Sequence, residues 1–311
     1  MVYVLGVLAA MLLGTGFVLQ QGAARQVPAA DFLRLRLVAD LMRKPRWLAG
    51  IATMILGQLL AAWVEGHIVL AVSAPLLATN LLVALSLAWP LSGQPITASE
   101  AVGAVVLLAG VIALSVAQSV PASRDVVGSP RYWPYCGAAV AVLAAGFAGA
   151  GWWRTGGLRA VLVGTGAGLV FGTQDAITRL VVDAAGGIHQ LAVLLTGWPV
   201  YALVAVGATG LWLMQNAFSA APLHVCLPPM TAVEPVWAMV LGIVVFRERV
   251  PVSPAMIALQ VAGLAALVAG VVLVARAPAL SALHHAPHDK RAHLLAVSLA
   301  SLSLTGYGWR T

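Results

Sequence analysis

Nine apolar runs, each close to the length of a membrane-crossing helix, follow one another along 311 residues with only short polar gaps between them. They cover approximately residues 2–20, 46–64, 67–89, 99–118, 132–150, 159–182, 197–218, 225–246 and 253–275. About 20 mostly apolar residues carry a helix across roughly 30 Å of hydrocarbon. Lipid offers no partner for backbone N–H and C=O groups, so each run has to be a helix; an open sheet would leave its edges unpaired. The expected fold class is therefore all-α and polytopic, with about nine transmembrane helices. A tenth is expected only if "HQLAVLLTGWP" (189–199) dips into the bilayer. Composition agrees, since 9% of the residues are charged, against about 25% in a soluble domain.

The net charge of +7 does not point to nucleic acid, because the cations fill the gaps between apolar runs, where membrane topology uses them. Arg25, Arg34, Arg36, Arg43, Lys44, Arg46, Arg154, Arg159, Arg276, Lys290, Arg291 and Arg310 fall on one side of the alternating spans. Arg124, Arg131, Arg247 and Arg249 fall on the other, with Arg179 near a helix end there. The excess of cations on the cytoplasmic side of membrane proteins predicts a multi-pass protein of the cell membrane with its N-terminus outside and its C-terminus inside. The first run lacks the basic start of a secretory signal and reads as a retained span. The linker 21–45, with "PAADFLRLRLVADLMRK", alternates Leu with Arg and is expected along the cytoplasmic interface. Cys136 and Cys226 are far apart and give neither a disulfide framework nor a metal spacing. The tail "HHAPHDKRAH" reads as solvated, with metal binding as its alternative. No cofactor and no metal are expected.

An internal repeat organises the chain. "GTGFVLQQGAAR" holds Gly14, Phe17, Gln20 and Arg25; "GLVFGTQDAITR" holds Gly168, Phe171, Gln174 and Arg179 at the same spacings. Gln58 in the second span has a counterpart in Gln215 of the seventh, and "LLAGVIAL" closes the fourth span as "LVAGVVLV" closes the ninth. Each helix is five spans from its counterpart, and an odd offset reverses direction across the membrane. The expected domains are a first repeat (1–120, including the linker), a connecting helix (121–155), an inverted second repeat (156–276) and a cytoplasmic tail (277–311). Inverted repeats are the architecture of secondary transporters, with the binding site near the midplane at the repeat interface.

The stretch "EPVWAMVLGIVVFRE" followed by "PVSPAMIALQVAGLAALVAGVVLVA" resembles the closing helix pair of the drug/metabolite transporter superfamily, with its EamA-type repeats. Glu234, Pro235, Glu248, Gly263 and Gly270 stand at that pattern's places. "APLLATNLLVALSLAWPLSGQPITASEAVGAVVLLAGV" fits more loosely, with Gln94 where a Glu is usual and no Glu-Pro pair. Nine spans rather than ten, and "LMQNAFSAAPLHVCLPPM", are similar to the NIPA-like magnesium transporter branch. That branch often carries Gly-Glu in its second span, where this chain has Gly57-Gln58. The resemblance covers about residues 2–276 and implies a membrane transporter.

Ionisable residues at membrane depth mark function by default, at a cost of about 2.5–3.5 kcal/mol each on insertion scales. Glu234 lies near the middle of its span, and Pro235 deprives the Thr231 carbonyl of its helix partner. The two can form a polar niche for substrate or ion, or a structural kink whose carboxylate is paired across the bundle. Asp175 precedes Arg179 by one turn, the favourable order for an intrahelical pair; the alternative to neutralisation is a gate or proton relay. Gln20, Gln21, Gln58, Asn80, Gln174, Gln215, Asn216 and Gln260 supply amides where lipid has none; they are expected to bond between helices, with some in contact with cargo. Pro75 and Pro228-Pro229 fall in the third and eighth spans and predict broken helices, the usual pointer to a binding site. Gly164, Gly168 and Gly172 recur every four residues and read as a helix-packing face rather than a dinucleotide loop, since no strand precedes them.

Together these features predict a transporter of a small solute, working by alternating access between the repeats as a monomer or homodimer. A divalent-cation (Mg²⁺) permease of the NIPA-like kind is the alternative. A membrane enzyme acting on lipid-linked substrates is a remote third, because no catalytic cluster of His, Asp, Glu or Ser shares one depth.

Overall fold

The computed structural model describes residues 1–26, 32–65, 67, 76–92, 97–117, 130–185, 197–246 and 253–285. Its regular elements are helices: α1 (Val2–Ala24), α2 (Leu35–Leu41), α3 (Pro45–Glu65), α4 (Asn80–Ser92), α5 (Ala98–Ala117), α6 (Trp133–Trp152), α7 (Gly156–Ala185), α8 (Trp198–Ala220), α9 (Leu223–Val244) and α10 (Pro254–His285). A 3₁₀ turn at Pro130–Tyr132 leads into α6. Proline sits in the first turn of α3, α6, α8 and α10, where its missing N–H has no intrahelical acceptor to lose and its φ already suits a helix.

Among the described residues, α1, α3 and α5 to α10 are long and apolar enough to cross a membrane, which makes eight. The expected third span is shorter, with Leu76–Ala88 as its apolar helical part. Pro90 lies in the last turn of α4, which ends at Ser92. Pro75 and residues 186–196, most of the candidate tenth crossing, lie outside the described residues, as do Gln94, Glu248 and residues 286–311 of the tail. Trp198 and Pro199 belong to the start of α8.

Polarity is inverted relative to a soluble protein. Gln20, Gln21, Gln215 and Asn216 are 0% exposed, while Leu59, Val142, Val204 and Val268 lie on the outside at 65%, 71%, 67% and 65%. In water that arrangement would expose apolar surface and desolvate polar groups at once; in lipid both tendencies reverse. The chain is a multi-pass membrane protein.

Backbone-to-backbone contact at glycine holds the helices together. α7 and α9 run parallel, and a Cβ added at Gly164, Gly168 or Gly172 would stand 2.8, 2.6 and 2.5 Å from the carbonyl oxygens of Cys226, Met230 and Glu234. α1 meets α4 in the same way, with Gly14 against the Asn80 carbonyl and Val83. α5 and α10 run antiparallel. Gly103 faces Gly270, while Gly110 faces Gly263; Leu107 covers Gly270, and Leu267 covers Gly110. Small residues let lipid-embedded helices approach this closely, so van der Waals packing replaces the hydrophobic drive that lipid removes. Around these pairs, α3 packs on α1, α8 on α7, and α6 lies against α7 alone among its principal contacts.

Two expectations need correction. The linker 21–45 does not lie wholly along the interface: α1 continues to Ala24, and Leu33, at φ 58°, turns inward so that its N–H reaches the Asn216 side chain at 2.6 Å. This bond offsets part of the cost of the left-handed backbone, about 1–2 kcal/mol. Prolines 228, 229 and 235 do not break α9, which runs unbroken from Leu223 to Val244. The Thr231 hydroxyl lies 3.2 Å from the carbonyls of both Leu227 and Pro228, and the helix continues although Pro228, Pro229 and Pro235 leave the carbonyls of His224, Val225 and Thr231 without their i+4 N–H donors.

Candidate functional site

The polar residues predicted from the sequence separate into two groups. The first sits where α1 ends, α8 ends and α9 begins. Gln215 Nε2 donates to Gln20 Oε1 at 2.5 Å, and the Gln20 amide also lies against the Met54 sulfur of α3. Gln21 Nε2 donates to the Ala221 carbonyl at 3.2 Å. Asn216 accepts the Leu33 N–H and donates to the Trp212 carbonyl at 2.7 Å. Four amides predicted as separate candidates are thus one buried network. It joins α1 to α8 and to the α8–α9 turn, and its position in the last turns of α1 and α8 puts it near one membrane face.

That face carries the cations. Lys44 Nζ donates to the Ala23 carbonyl and to Gln26, both at 3.3 Å; Arg46 donates to the Leu91 carbonyl at 2.7 Å. Arg159 Nε lies 3.3 Å from the Gly151 carbonyl in the last turn of α6 and 2.7 Å from the Arg154 carbonyl, and its guanidinium lies 4.2 Å over the Phe32 ring. Lys44, Arg46 and Arg159 thus place positive charge at helix C-terminal carbonyls at this end.

A pair missed by the sequence reading belongs here. Glu100, 2% exposed, lies 3.4 Å from His224 Nε2, tying α5 to α9. Glu100 also accepts the Thr97 N–H at 2.8 Å, while Thr97 Oγ1 accepts the Glu100 N–H at 3.3 Å. The signal was present as "TASE", a Thr-x-x-Glu capping box directly before an apolar run. Its partner was not legible, because His224 lies in another helix far along the chain.

The second group lies away from that face. Glu234, on α9, is half-buried, and Asp175, on α7, is exposed and close enough to Glu234 to interact with it electrostatically. Trp237, one turn past Glu234, donates its indole N–H to Thr173 Oγ1 at 2.9 Å and pins the two helices together beside the carboxylates. Gln174 lies against Gly207 of α8, as Gln20 lies against Gly50 of α3. The Asn80 side-chain oxygen is buried with no hydrogen bond, and Gln58 is exposed. The Arg179 side chain lies outside the description, so its pairing with Asp175 does too. Among the described residues no three His, Cys, Asp or Glu converge as metal ligands.

Between the two groups, α6, α7 and α8 border a crevice of about 930 Å³, lined by Trp133, Val140, Ala144, Trp198 and Trp212 together with Leu33 and Thr173. Neither carboxylate lines it.

The chain matches no family model and no solved structure. It is 26% identical over 251 residues to an uncharacterized protein of Corynebacterium glutamicum, a match covering 77% of this chain and 82% of that one.

Proposed function

We propose that the protein is a secondary transporter of the drug/metabolite transporter kind, moving a small solute by rocking two inverted repeats against each other. One repeat is α1, α3, α4 and α5; the other is α7, α8, α9 and α10; α6 connects them. The observation that carries this reading is the self-matching contact of α5 with α10, in which Gly103 meets Gly270 as Gly263 meets Gly110. A two-fold axis in the membrane plane produces such a pairing, with equivalent helices running oppositely. Gly14 on Asn80 and Val83, and Gly168 on Met230 and Val233, repeat one contact at matching places in each half. Such repeats form transport sites near the midplane at their interface. Asp175 and Glu234 are the residues we assign to that path.

The cation-rich end belongs on the cytoplasmic side of the cell membrane by the same rule as before, which puts the N-terminus outside. Reporter fusions to the ends of α5 and α10 test this, and equivalent helices found running the same way would refute it. A solute panel screened by thermal shift, followed by flux in proteoliposomes with wild type and Glu234→Gln, tests the activity. Absence of flux for every solute that shifts melting would remove the transport reading.

The presence of two carboxylates, Asp175 and Glu234, on the neighbouring helices α7 and α9 favours a second reading as a divalent-cation permease. Two hard oxygen groups suit a partly hydrated Mg²⁺ better than a fully stripped ion, which takes six ligands. Rescue of a magnesium-starved strain, lost in Glu234→Gln, would select it over a metabolite carrier.

A further inference from the structure

We propose that the polar network at the basic end is a clasp holding that end of the bundle shut, and that its release opens a path to that face. This rests on the two-repeat reading above. Among the described residues, polar ties between the first half of the chain and the second converge at this end: Gln215 to Gln20, Gln21 to the Ala221 carbonyl, the Leu33 N–H to Asn216, and Glu100 to His224.

The matching level at the other end of the bundle differs. Gln20 is 0% exposed, whereas its counterpart Gln174 is half-buried; Gln21 is 0% exposed, whereas Asp175 is exposed. Gln215 is 0% exposed, whereas Gln58 is exposed. Glu100 has His224, while the residue matching it in α10, Gln260, has a buried amide nitrogen without a partner. Among the described residues, matching positions of the same helices are buried in the polar network at the basic end, while Gln58, Gln174 and Asp175 at the other end are more exposed.

The contacts suit a reversible closure. They are side-chain amides and one carboxylate–imidazole pair, in place of the glycine-to-backbone packing that joins α5 to α10. Amides freed by opening can bond to water entering the gap, so each tie exchanges one partner for another. Leu33, just before α2, is part of the device, since its N–H reaches Asn216.

Cys226 provides the test. It is 0% exposed, and its thiol lies against the carbonyls of Ala221 and Pro222 just inside the clasp. Full-length protein carrying Cys136→Ala, in lipid vesicles, is exposed to a membrane-impermeant maleimide from the basic face. Cys226 should label slowly, and Glu100→Gln, His224→Asn and Gln215→Ala should each raise the rate roughly tenfold, the effect of losing one buried tie on a two-state closure. Labelling from the opposite face should not change. Size-exclusion profiles identify variants that fail to fold, and the remaining ones decide. Unchanged labelling in folded variants overturns the clasp whatever the flux. Faster labelling in a protein that moves no solute keeps the clasp and overturns the transport reading instead.

Discussion

Replacing Gly110 and Gly137 by alanine, one at a time, tests how the bundle is held. Both glycines are within membrane helices, so the intrinsic preference of a helix for Ala over Gly, about 1 kcal/mol, applies to each and cancels in the comparison. Their surroundings differ. A Cβ at Gly110 would lie 2.8 Å from both the Gly263 carbonyl oxygen and the Leu267 backbone nitrogen, while one at Gly137 meets nothing within 4 Å. Ordinary contact needs about 3.5 Å or more, and a backbone cannot rotate aside as a side chain can. α10 must therefore shift by about 0.5 Å or more, which forfeits a quarter to a half of each neighbouring contact's attraction. Overpacking of this kind costs about 1–3 kcal/mol, so Gly110→Ala should be less stable than Gly137→Ala by that amount. Unfolding titrations with SDS in mixed micelles, followed by fluorescence of the tryptophans, measure the difference. Gly270→Ala, against Leu107 and Gly103 at 2.7 and 2.8 Å, should cost a similar ~1–3 kcal/mol. Equal stability of Gly110→Ala and Gly137→Ala would refute the backbone-contact account. A neutral Gly270→Ala would refute the two-fold relation.

Further outcomes are expected. Glu100→Ala should lower stability by about 1–3 kcal/mol in the same titration, because the Thr97 N–H and His224 both lose their partner. Asn216→Ala should cost a similar ~1–3 kcal/mol and increase protease cleavage in the α1–α2 linker, since the Leu33 N–H is left unpaired at a left-handed backbone position. Asp175→Asn and Glu234→Gln should each abolish flux in proteoliposomes while leaving the melting temperature unchanged or raised, because removing a membrane-embedded charge lowers a cost of about 2.5–3.5 kcal/mol. A loss of stability there would mean that the carboxylates are structural.

Much of this protein is determined by periodic apolarity alone. Lipid requires every crossing backbone to pair with itself, so runs of about 20 apolar residues specify helices and their order. Glycines spaced at four residues predict a packing stripe, and Gly164, Gly168 and Gly172 do lie along α9. The polar residues were visible as candidates for the same reason, since an amide in an apolar run is conspicuous.

Partnership was decided only in three dimensions. Gln20 and Gln215, or Glu100 and His224, are far apart in the chain, and one-dimensional spacing carries no information on which of several equivalent amides will meet. The prolines of α9 show the converse: by local rule they should break a helix, yet α9 is continuous where it packs closely on the glycine face of α7. Local chemistry decides what a segment can become in lipid; contact between distant segments decides which polar groups are satisfied, and so which end of the bundle is sealed.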